Sequence, residues 1–191
     1  STMYSPRKFF GLPDGGFAYC KVNISIDLEV DKSYDRISHL ISRIENGAEA
    51  GFKMYKQNDK KLNNLPLRKI SKFTDKLLRN INFEDVRNKR NENFDFLHDN
   101  LKDRNELSLI INNVKIDGQM AYPFLCKGNH SLRDKLIKNR VYIAQYWPNV
   151  LDWINNKEIF EKHLLINLLA LPIDQRYSFK DLEKIIKIIK N

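Results

Sequence analysis

The stretch that decides the fold is residues 4–16, which read YSPRKFFGLPDGG. Its prolines, its glycines and the final Pro-Asp-Gly-Gly turn predict a loop. Lys8 lies in this loop between Arg7 and two phenylalanines. Burial among aromatic rings and a neighbouring cation both lower the pKa of an ammonium group, and the resulting neutral amine is the nucleophile that forms a Schiff base. The alternative is an ordinary exposed lysine in a surface loop.

The chain that follows this loop changes from extended to helical patterning. Phe17 to Val30 predicts an extended segment, with the clearest alternation over Val22–Leu28 and no partner strand nearby in sequence. From Ser33 the apolar period is helical and continues to about Lys60, and a further helix is predicted at Ser71 to Asn80. Because a compact fold rarely opens with a loop and an unpaired strand, we expect a fragment of a larger domain.

One face of the long helical region is strongly apolar. Its residues are Tyr34, Ile37, Leu40, Ile41, Ile44, Phe52 and Tyr55. The face is more apolar than one side of an exposed helix needs, which predicts that a second copy or an N-terminal partner covers it.

Strands and helices alternate in the second half. Asn82 is predicted to cap one helix, and a Ser178–Asp181 capping box opens the last one. The predicted strands are Met120–Cys126, Val141–Trp147 and Leu168–Ile173, and the helices between them begin at Ser131 and Glu158. Two right-handed βαβ crossovers are the natural interpretation of this order. The predicted fold class is α/β, divided into residues 1–80 and 81–191.

The composition excludes several classes of protein. Hydrophobic residues make up 42% and charged residues 30% of the 191 residues, which is typical of a globular chain. No apolar run reaches the roughly 18 residues that cross a bilayer, and no signal-peptide pattern opens the chain. Cys20 and Cys126 lack disulfide-framework or metal spacing, which favours a cytoplasmic location. We therefore expect no membrane partner.

The formal net charge of +9 raises the question of a nucleic-acid partner. Acidic residues are interspersed with the basic ones, so solvated helix faces explain the charge better. A basic module that binds nucleic acid or another anionic polymer stays as an alternative. The histidines show no zinc-ligand spacing, and no Gly-x-Ser-x-Gly elbow or phosphate-binding glycine loop occurs, so no metal is predicted.

Several segments resemble the DegT/DnrJ/StrS family of pyridoxal-phosphate-dependent sugar aminotransferases. Around its lysine the family has Pro-x-Lys, a glycine three residues later, and Gly-Asp-Gly-Gly. Pro6-Arg7-Lys8, Gly11 and Pro13–Gly16 match this pattern, with proline for the first glycine. Further matches are Arg36–Leu40 at the family's Asn-x-Arg helix start, Tyr146–Pro148 at its small-domain turn, and Leu168–Ile173 at its closing strand. The resemblance covers nearly the whole chain, but only the second half of a family member.

Some positions depart from the family pattern and indicate a divergent branch. Met3 replaces a serine that grips the cofactor phosphate, and Tyr34 replaces an asparagine that reaches a phosphate across the dimer interface. Tyr146 replaces the histidine of the small-domain turn. The family's stacking aromatic residue and pyridine-pairing acid belong to its first half.

The resemblance implies the C-terminal part of a fold type I pyridoxal-phosphate-dependent transferase. Residues 1–80 would be the end of the large cofactor-binding domain, and residues 81–191 the small α/β domain. Lys8 would be the catalytic and cofactor-binding residue, which holds pyridoxal 5'-phosphate and then moves a proton. The residues implied near the substrate are Tyr34, Arg36, Tyr146 and Trp147.

The resemblance also implies the reaction. Joined to its N-terminal half, the chain would be a homodimeric cytoplasmic aminotransferase that moves an amino group from a donor, usually glutamate, to a keto nucleotide sugar in surface polysaccharide biosynthesis. The alternative within the family is a catalytically inactive aminotransferase-like fragment or scaffold.

Overall fold

The computed structural model describes residues 1–22, 26–126, 128–154 and 159–191. The chain is a mixed α/β protein that divides into two compact units, Ser1–Ile81 (unit 1) and Asn82–Asn191 (unit 2). This division lies one residue from the predicted boundary. The mixed α/β class is confirmed, whereas the finer assignment to a transferase fold stays a prediction.

A β-hairpin closes the lysine loop. β1 (Thr2–Tyr4) pairs antiparallel with β2 (Phe17–Tyr19), so that Tyr4 lies opposite Phe17. The expectation that the Phe17 strand lacks a nearby partner is wrong, because β1 is too short for its alternation to be visible in the sequence. Among the described residues after Tyr19, the predicted extended segment forms only one bridge, between Val30 and Lys69; residues 23–25 lie outside the described residues.

The helical structure predicted from Ser33 to Lys60 consists of two helices. α1 (Ser38–Glu45) follows a 3₁₀ turn at Tyr34–Arg36, and α2 (Ala48–Lys60) follows Gly47. Gly47 has a φ of 93°, a conformation that glycine adopts readily and other residues do not, so the helix is interrupted there.

Gly51 allows α1 and α2 to pack closely as a helical hairpin. A Cβ at Gly51 would lie 2.8 Å from Cβ of Arg43 and 2.9 Å from the carbonyl oxygen of His39. α3 (Lys72–Arg79) follows, and the Oγ of Ser71 caps it by accepting the Thr74 N–H at 3.1 Å, which confirms the predicted helix.

Both predicted caps of unit 2 are confirmed. Asn82 Oδ1 accepts backbone N–H groups of Glu84 and Asp85 at the start of α4 (Phe83–Leu101). Ser178 and Asp181 form the capping box of the last helix, α8 (Phe179–Lys190). The elements between are the 3₁₀ turn Lys102–Arg104, α5 (Ser108–Asn112), β3 (Ala121–Leu125), α6 (Asn129–Lys138), the 3₁₀ turn Pro148–Asp152, α7 (Ile159–Asn167) and β4 (Leu168–Pro172).

The two helices predicted between the strands of unit 2 have starts at Ser131 and Glu158. α6 begins at Asn129 rather than at a Ser131 cap, because Gly128 takes up a left-handed φ of 82° just before it. The Ser131 hydroxyl donates to the Gly128 carbonyl from within the first turn. The predicted start of the next helix, Glu158, lies outside the described residues.

The predicted parallel crossovers are wrong. β3 pairs antiparallel with β4, with Tyr122 opposite Leu171 and Phe124 opposite Leu169. Of the predicted strand Val141–Trp147, only Ala144 pairs, through one antiparallel bridge to Ala170. Ala170 also lies opposite Pro123, so β4 has β3 on one edge and Ala144 on the other. Alternation predicts that a segment is a strand but carries no information on its direction.

The core of unit 2 lies where the β3–β4 sheet packs with helices such as α4 and α8. Its largest fully buried apolar side chains are Tyr122, Phe94, Phe124, Leu97, Leu101, Leu125, Leu136, Leu169, Leu171, Ile173 and Leu182. Arg90 is buried among them and donates to Gln175, to Asp174 and to the carbonyls of Gln119 and Met120. These bonds make Arg90 a structural residue that ties α4 to the sheet.

Candidate functional site

Lys8 lies on an anchored turn with its side chain exposed. It ends the 3₁₀ turn Pro6–Lys8, where its N–H donates to the Ser5 carbonyl at 3.1 Å. Pro6, Leu12 and Asp14 fasten the loop because their side chains are buried. The ε-amine is therefore accessible to a reactant, and the described residues of unit 1 do not bury it among aromatic rings.

Asp14, in the turn that follows the lysine, is the buried anchor of the loop. It is 4% exposed, and its Oδ1 accepts the backbone N–H of Ser71 at 3.3 Å. Its Oδ2 lies 4.0 Å from Nη2 of Arg36 and has no hydrogen-bond donor among the described residues. The loop is thereby joined to the start of α3 and to the turn that carries Arg36.

Arg36 is buried at the centre of a charge cluster. It is 5% exposed and donates to Oδ2 of Asp31 at 2.5 Å. Asp31 also accepts from Arg68 at 3.3 Å. We call Asp14, Asp31 and Arg36 the buried charge cluster of unit 1; the side chain of Asp31 is its most exposed member, at 11%. Arg36 is predicted to lie near the substrate, and the structure places its side chain in ion pairs beneath the surface.

Hydroxyl and amide groups extend the buried charge cluster. The hydroxyls of Ser33 and Ser71 are 2.8 Å apart, and Ser71 Oγ donates to Thr74 Oγ1 at 3.1 Å. Asn58 on α2 donates to the Arg36 carbonyl at 3.2 Å and shares a hydrogen bond with Nδ1 of His39 at 3.1 Å. Burial is the largest cause that lowers the pKa of His39, so its ring favours the neutral form.

A cavity of about 610 Å³ lies beside this cluster, between residues 30–37 and the start of α3. Its lining consists of Val30, Asp31, Lys32, Ser33, Tyr34, Ile37, Ser71, Lys72 and Phe73. Tyr34, another residue predicted to lie near the substrate, is 82% exposed at its edge. The predicted apolar face is open as well, since Ile44 is 86% and Phe52 51% exposed.

The residues of unit 1 fit pyridoxal phosphate at one point only. Lys8 offers an accessible amine for covalent attachment. Met3 is 81% exposed and carries no group that binds a phosphate. The neighbouring cation Arg7 lies 3.6 Å from Asp59, with which it forms an ion pair. The attachment point is therefore present, while a phosphate contact beside it is not found among the described residues.

The other two predicted site residues belong to unit 2. The rings of Tyr146 and Trp147 have centroids 5.6 Å apart and an angle of 41° between their planes. Tyr146 lines a cavity of about 370 Å³ walled by apolar residues of α5, β3 and β4, and burial raises the pKa of its hydroxyl. Trp147 is 67% exposed and has a φ of 48°.

Sequence reasoning missed the partners of Arg36. Asp14 belongs to the Pro-Asp-Gly-Gly turn, which by itself assigns no role to its carboxylate, and Asp31 lies outside every motif of the sequence. An acidic residue within an apolar and glycine-rich turn is the only signal that could have indicated Asp14. Nothing local distinguishes Asp31 from the exposed Asp27.

Other polar clusters of unit 2 are paired internally. His98 contacts the Tyr122 hydroxyl and Asn112, and Asn105 donates to that same hydroxyl. His163 lies 2.9 Å from a Glu106 carboxylate oxygen. Within the described ranges, no group of three or more histidine, cysteine or acidic residues is placed to hold a metal ion.

Comparisons of the chain with protein-family models, with curated proteins and with solved structures returned no match. Among the helices that the structure describes, none combines the length and the apolar character needed to span a membrane.

Proposed function

We propose that this chain is the lysine-bearing C-terminal portion of a pyridoxal-phosphate-dependent aminotransferase that acts on a keto nucleotide sugar. The observation that carries the proposal is the contact between Asp14 and Arg36. These residues come from the two motifs of unit 1 on which the resemblance rests, and they lie 22 positions apart in the chain. Their burial together brings the lysine loop against the turn that precedes α1, which supports a shared origin of the two motifs.

Lys8 is the residue that performs chemistry in this proposal. Its exposed amine, on a turn closed by β1 and β2, would hold the cofactor aldehyde and then carry a proton to and from the substrate carbon. The bound cofactor would supply the electron sink that stabilises negative charge on that carbon. Unit 1 contributes the position of the amine through the buried anchors Pro6, Leu12 and Asp14.

The remaining parts of the proposal rest on the resemblance. They are a homodimer that covers the exposed apolar face of α1 and α2, a glutamate-type amino donor, and a cytoplasmic enzyme of surface polysaccharide biosynthesis. The exposure of Tyr34 and Ile44 leaves this face open to a second copy of the chain.

An inactive scaffold is the second candidate, favoured by Met3 and Tyr34. If each replaces a charge-assisted phosphate contact worth about 1.5–3 kcal/mol, two losses weaken cofactor binding by roughly 10²–10⁴-fold. For the 191-residue chain alone we therefore expect weak cofactor binding.

Borohydride reduction in the presence of pyridoxal phosphate, followed by peptide mapping, tests the proposal. In the complete protein that carries these residues, the pyridoxyl group should appear on Lys8 alone, and Lys8→Ala should abolish transfer of an amino group from labelled glutamate. Lys53→Ala is the matched control, because Lys53 is an exposed lysine of the same unit. Labelling of Lys8 without any amino transfer would favour the scaffold, and labelling of a different lysine would contradict the assignment of the motif.

A further inference from the structure

The backbone at Trp147 is strained at an exposed site. Its φ and ψ are both 48°, in the left-handed region. A bulky residue is rarely found there, and a residue before a proline, such as Pro148, normally has an extended backbone. Such strain persists only where the surrounding structure imposes it, and it concentrates at functional sites.

Burial of the indole ring does not compensate for this strain. Trp147 is 67% exposed, so most of its ring faces solvent. The Trp147 carbonyl accepts the Val150 N–H at 2.9 Å and so begins the following 3₁₀ turn. That bond explains how the turn is held, but any residue could make it through its backbone. The tryptophan side chain is therefore not what holds the turn.

Tyr146 adds a hydrogen-bonding group beside the indole. Its ring centroid is 5.6 Å from that of Trp147, and its ring is partly buried against the 370 Å³ cavity. No other group in the described part of the chain forms a hydrogen bond with its hydroxyl. Because burial raises the pKa of this hydroxyl, it keeps its proton and can donate to an acceptor.

We propose that Tyr146 and Trp147 bind the planar base of a nucleotide, Trp147 by stacking on the ring and Tyr146 by donating a hydrogen bond to a base carbonyl. The inference rests on the proposed function, which supplies a nucleotide-linked substrate. A strained, exposed indole beside a hydroxyl that has no hydrogen-bond partner among the described residues is suited to a flat ring that carries a carbonyl group. A plain sugar offers no aromatic face, and stacking of a base on an aromatic side chain is the stronger contact.

Tryptophan fluorescence provides a direct test, because Trp147 and Trp153 are the only two tryptophans. Trp153→Phe leaves Trp147 as the single reporter, and Trp147→Phe leaves Trp153, which is 71% exposed, as the matched control. Titration with uridine diphosphate should quench the fluorescence of Trp153→Phe saturably. The fluorescence of Trp147→Phe should change only in proportion to the added nucleotide. Glucose should quench neither.

The affinity of the base is then measured from the uracil proton signals in saturation-transfer NMR. Stacking on an aromatic residue is worth about 1–3 kcal/mol per base, so Trp147→Ala should weaken binding roughly 5- to 150-fold, whereas Trp147→Phe should retain most of it. Tyr146→Phe should weaken binding less and should reduce discrimination between uridine diphosphate and a ring without carbonyl groups. Circular dichroism spectra that match the unmodified chain show that the variants fold.

The outcomes separate this inference from the proposed function. Equal quenching of both single-tryptophan variants, or unchanged affinity in Trp147→Ala, overturns the base-binding site even if Lys8 is labelled. Saturable quenching of Trp147 without labelling of Lys8 supports the site and contradicts the aminotransferase. Saturable quenching by glucose alone overturns the choice of a base as the ligand.

Discussion

Removal of the Arg36 charge should destabilise unit 1 far more than removal of the Asp14 charge. In Arg36→Gln, the buried carboxylate of Asp14 and the largely buried carboxylate of Asp31, which is 11% exposed, lose their shared cation. Asp31 keeps Arg68 at 3.3 Å, but that guanidinium is one-third exposed, and among the described residues Asp14 keeps only the Ser71 N–H. Breaking a buried ion pair from one side costs about 3–5 kcal/mol because a charge is left uncompensated.

Asp14→Asn should have a smaller effect for geometric reasons. The asparagine oxygen can still accept the Ser71 N–H, and Arg36 keeps Asp31 at 2.5 Å. The lost contact with Arg36 is 4.0 Å long, and Asp14 Oδ2 has no hydrogen-bond donor among the described residues. The expected loss is about 1 kcal/mol, the scale of one hydrogen bond. The two variants should therefore differ by about 2 kcal/mol or more.

Hydrogen exchange followed by mass spectrometry is the suitable assay, because both tryptophans lie in unit 2 and do not report on unit 1. Peptides from α1 should exchange about 100-fold faster or more in Arg36→Gln and about 5-fold faster in Asp14→Asn. Arg79→Gln is the control, because its ion pair with Asp75 is exposed, and it should leave exchange unchanged. An Asp14→Asn effect equal to that of Arg36→Gln would refute the view that Arg36 is the shared cation of the cluster.

Three further predictions concern the helices. Gly51→Ala should lower the urea midpoint of unit 1 by an amount equivalent to about 1–2 kcal/mol, since overpacking outweighs the better helix propensity of alanine. Gly16→Ala is the control and should be tolerated, because a Cβ there would meet the Tyr4 carbonyl oxygen at an ordinary 3.5 Å. Equal midpoints for the two variants would contradict the close packing of α1 and α2. Burial lowers the pKa of His39, so as pH falls the unfolded chain protonates this residue before the folded chain does, and unit 1 should lose stability below about pH 6.5. Urea unfolding followed by circular dichroism should show a smaller pH dependence of stability in His39→Gln. An unchanged pH dependence would exclude His39 as its source. The hydrogen bonds from Ser178 lower the pKa of Asp181, so the charged half of the capping box stabilises α8 above about pH 4 and is lost at lower pH, whereas the bond from the Asp181 N–H to Ser178 Oγ stays. Ser178→Ala should cost about 1 kcal/mol at pH 7 and less at low pH, measured by tryptophan fluorescence in urea; a cost that does not change with pH would contradict a charged cap.

The sequence by itself determined the features that depend on near neighbours. The Asn82 cap and the Ser178–Asp181 box were predicted correctly, because a cap acts over two or three residues. The helices α3 and α4 follow from apolar periodicity, and the loop around Lys8 follows from its prolines and glycines. The chemistry proposed for Lys8 also derives from local pattern and stays a prediction.

Only the tertiary structure decided which distant segments meet. Asp14 contacts Ser71 across 57 positions, and the burial of Arg36 depends on that contact and on Asp31. The antiparallel position of β4 between β3 and Ala144 was likewise invisible to alternation, which repeats every two residues in either direction. The left-handed backbone of Trp147 is also a tertiary feature, because no preference of the residue itself leads there. Pairing partners and burial are properties of contacts between residues far apart in the chain, and a local pattern carries no record of them.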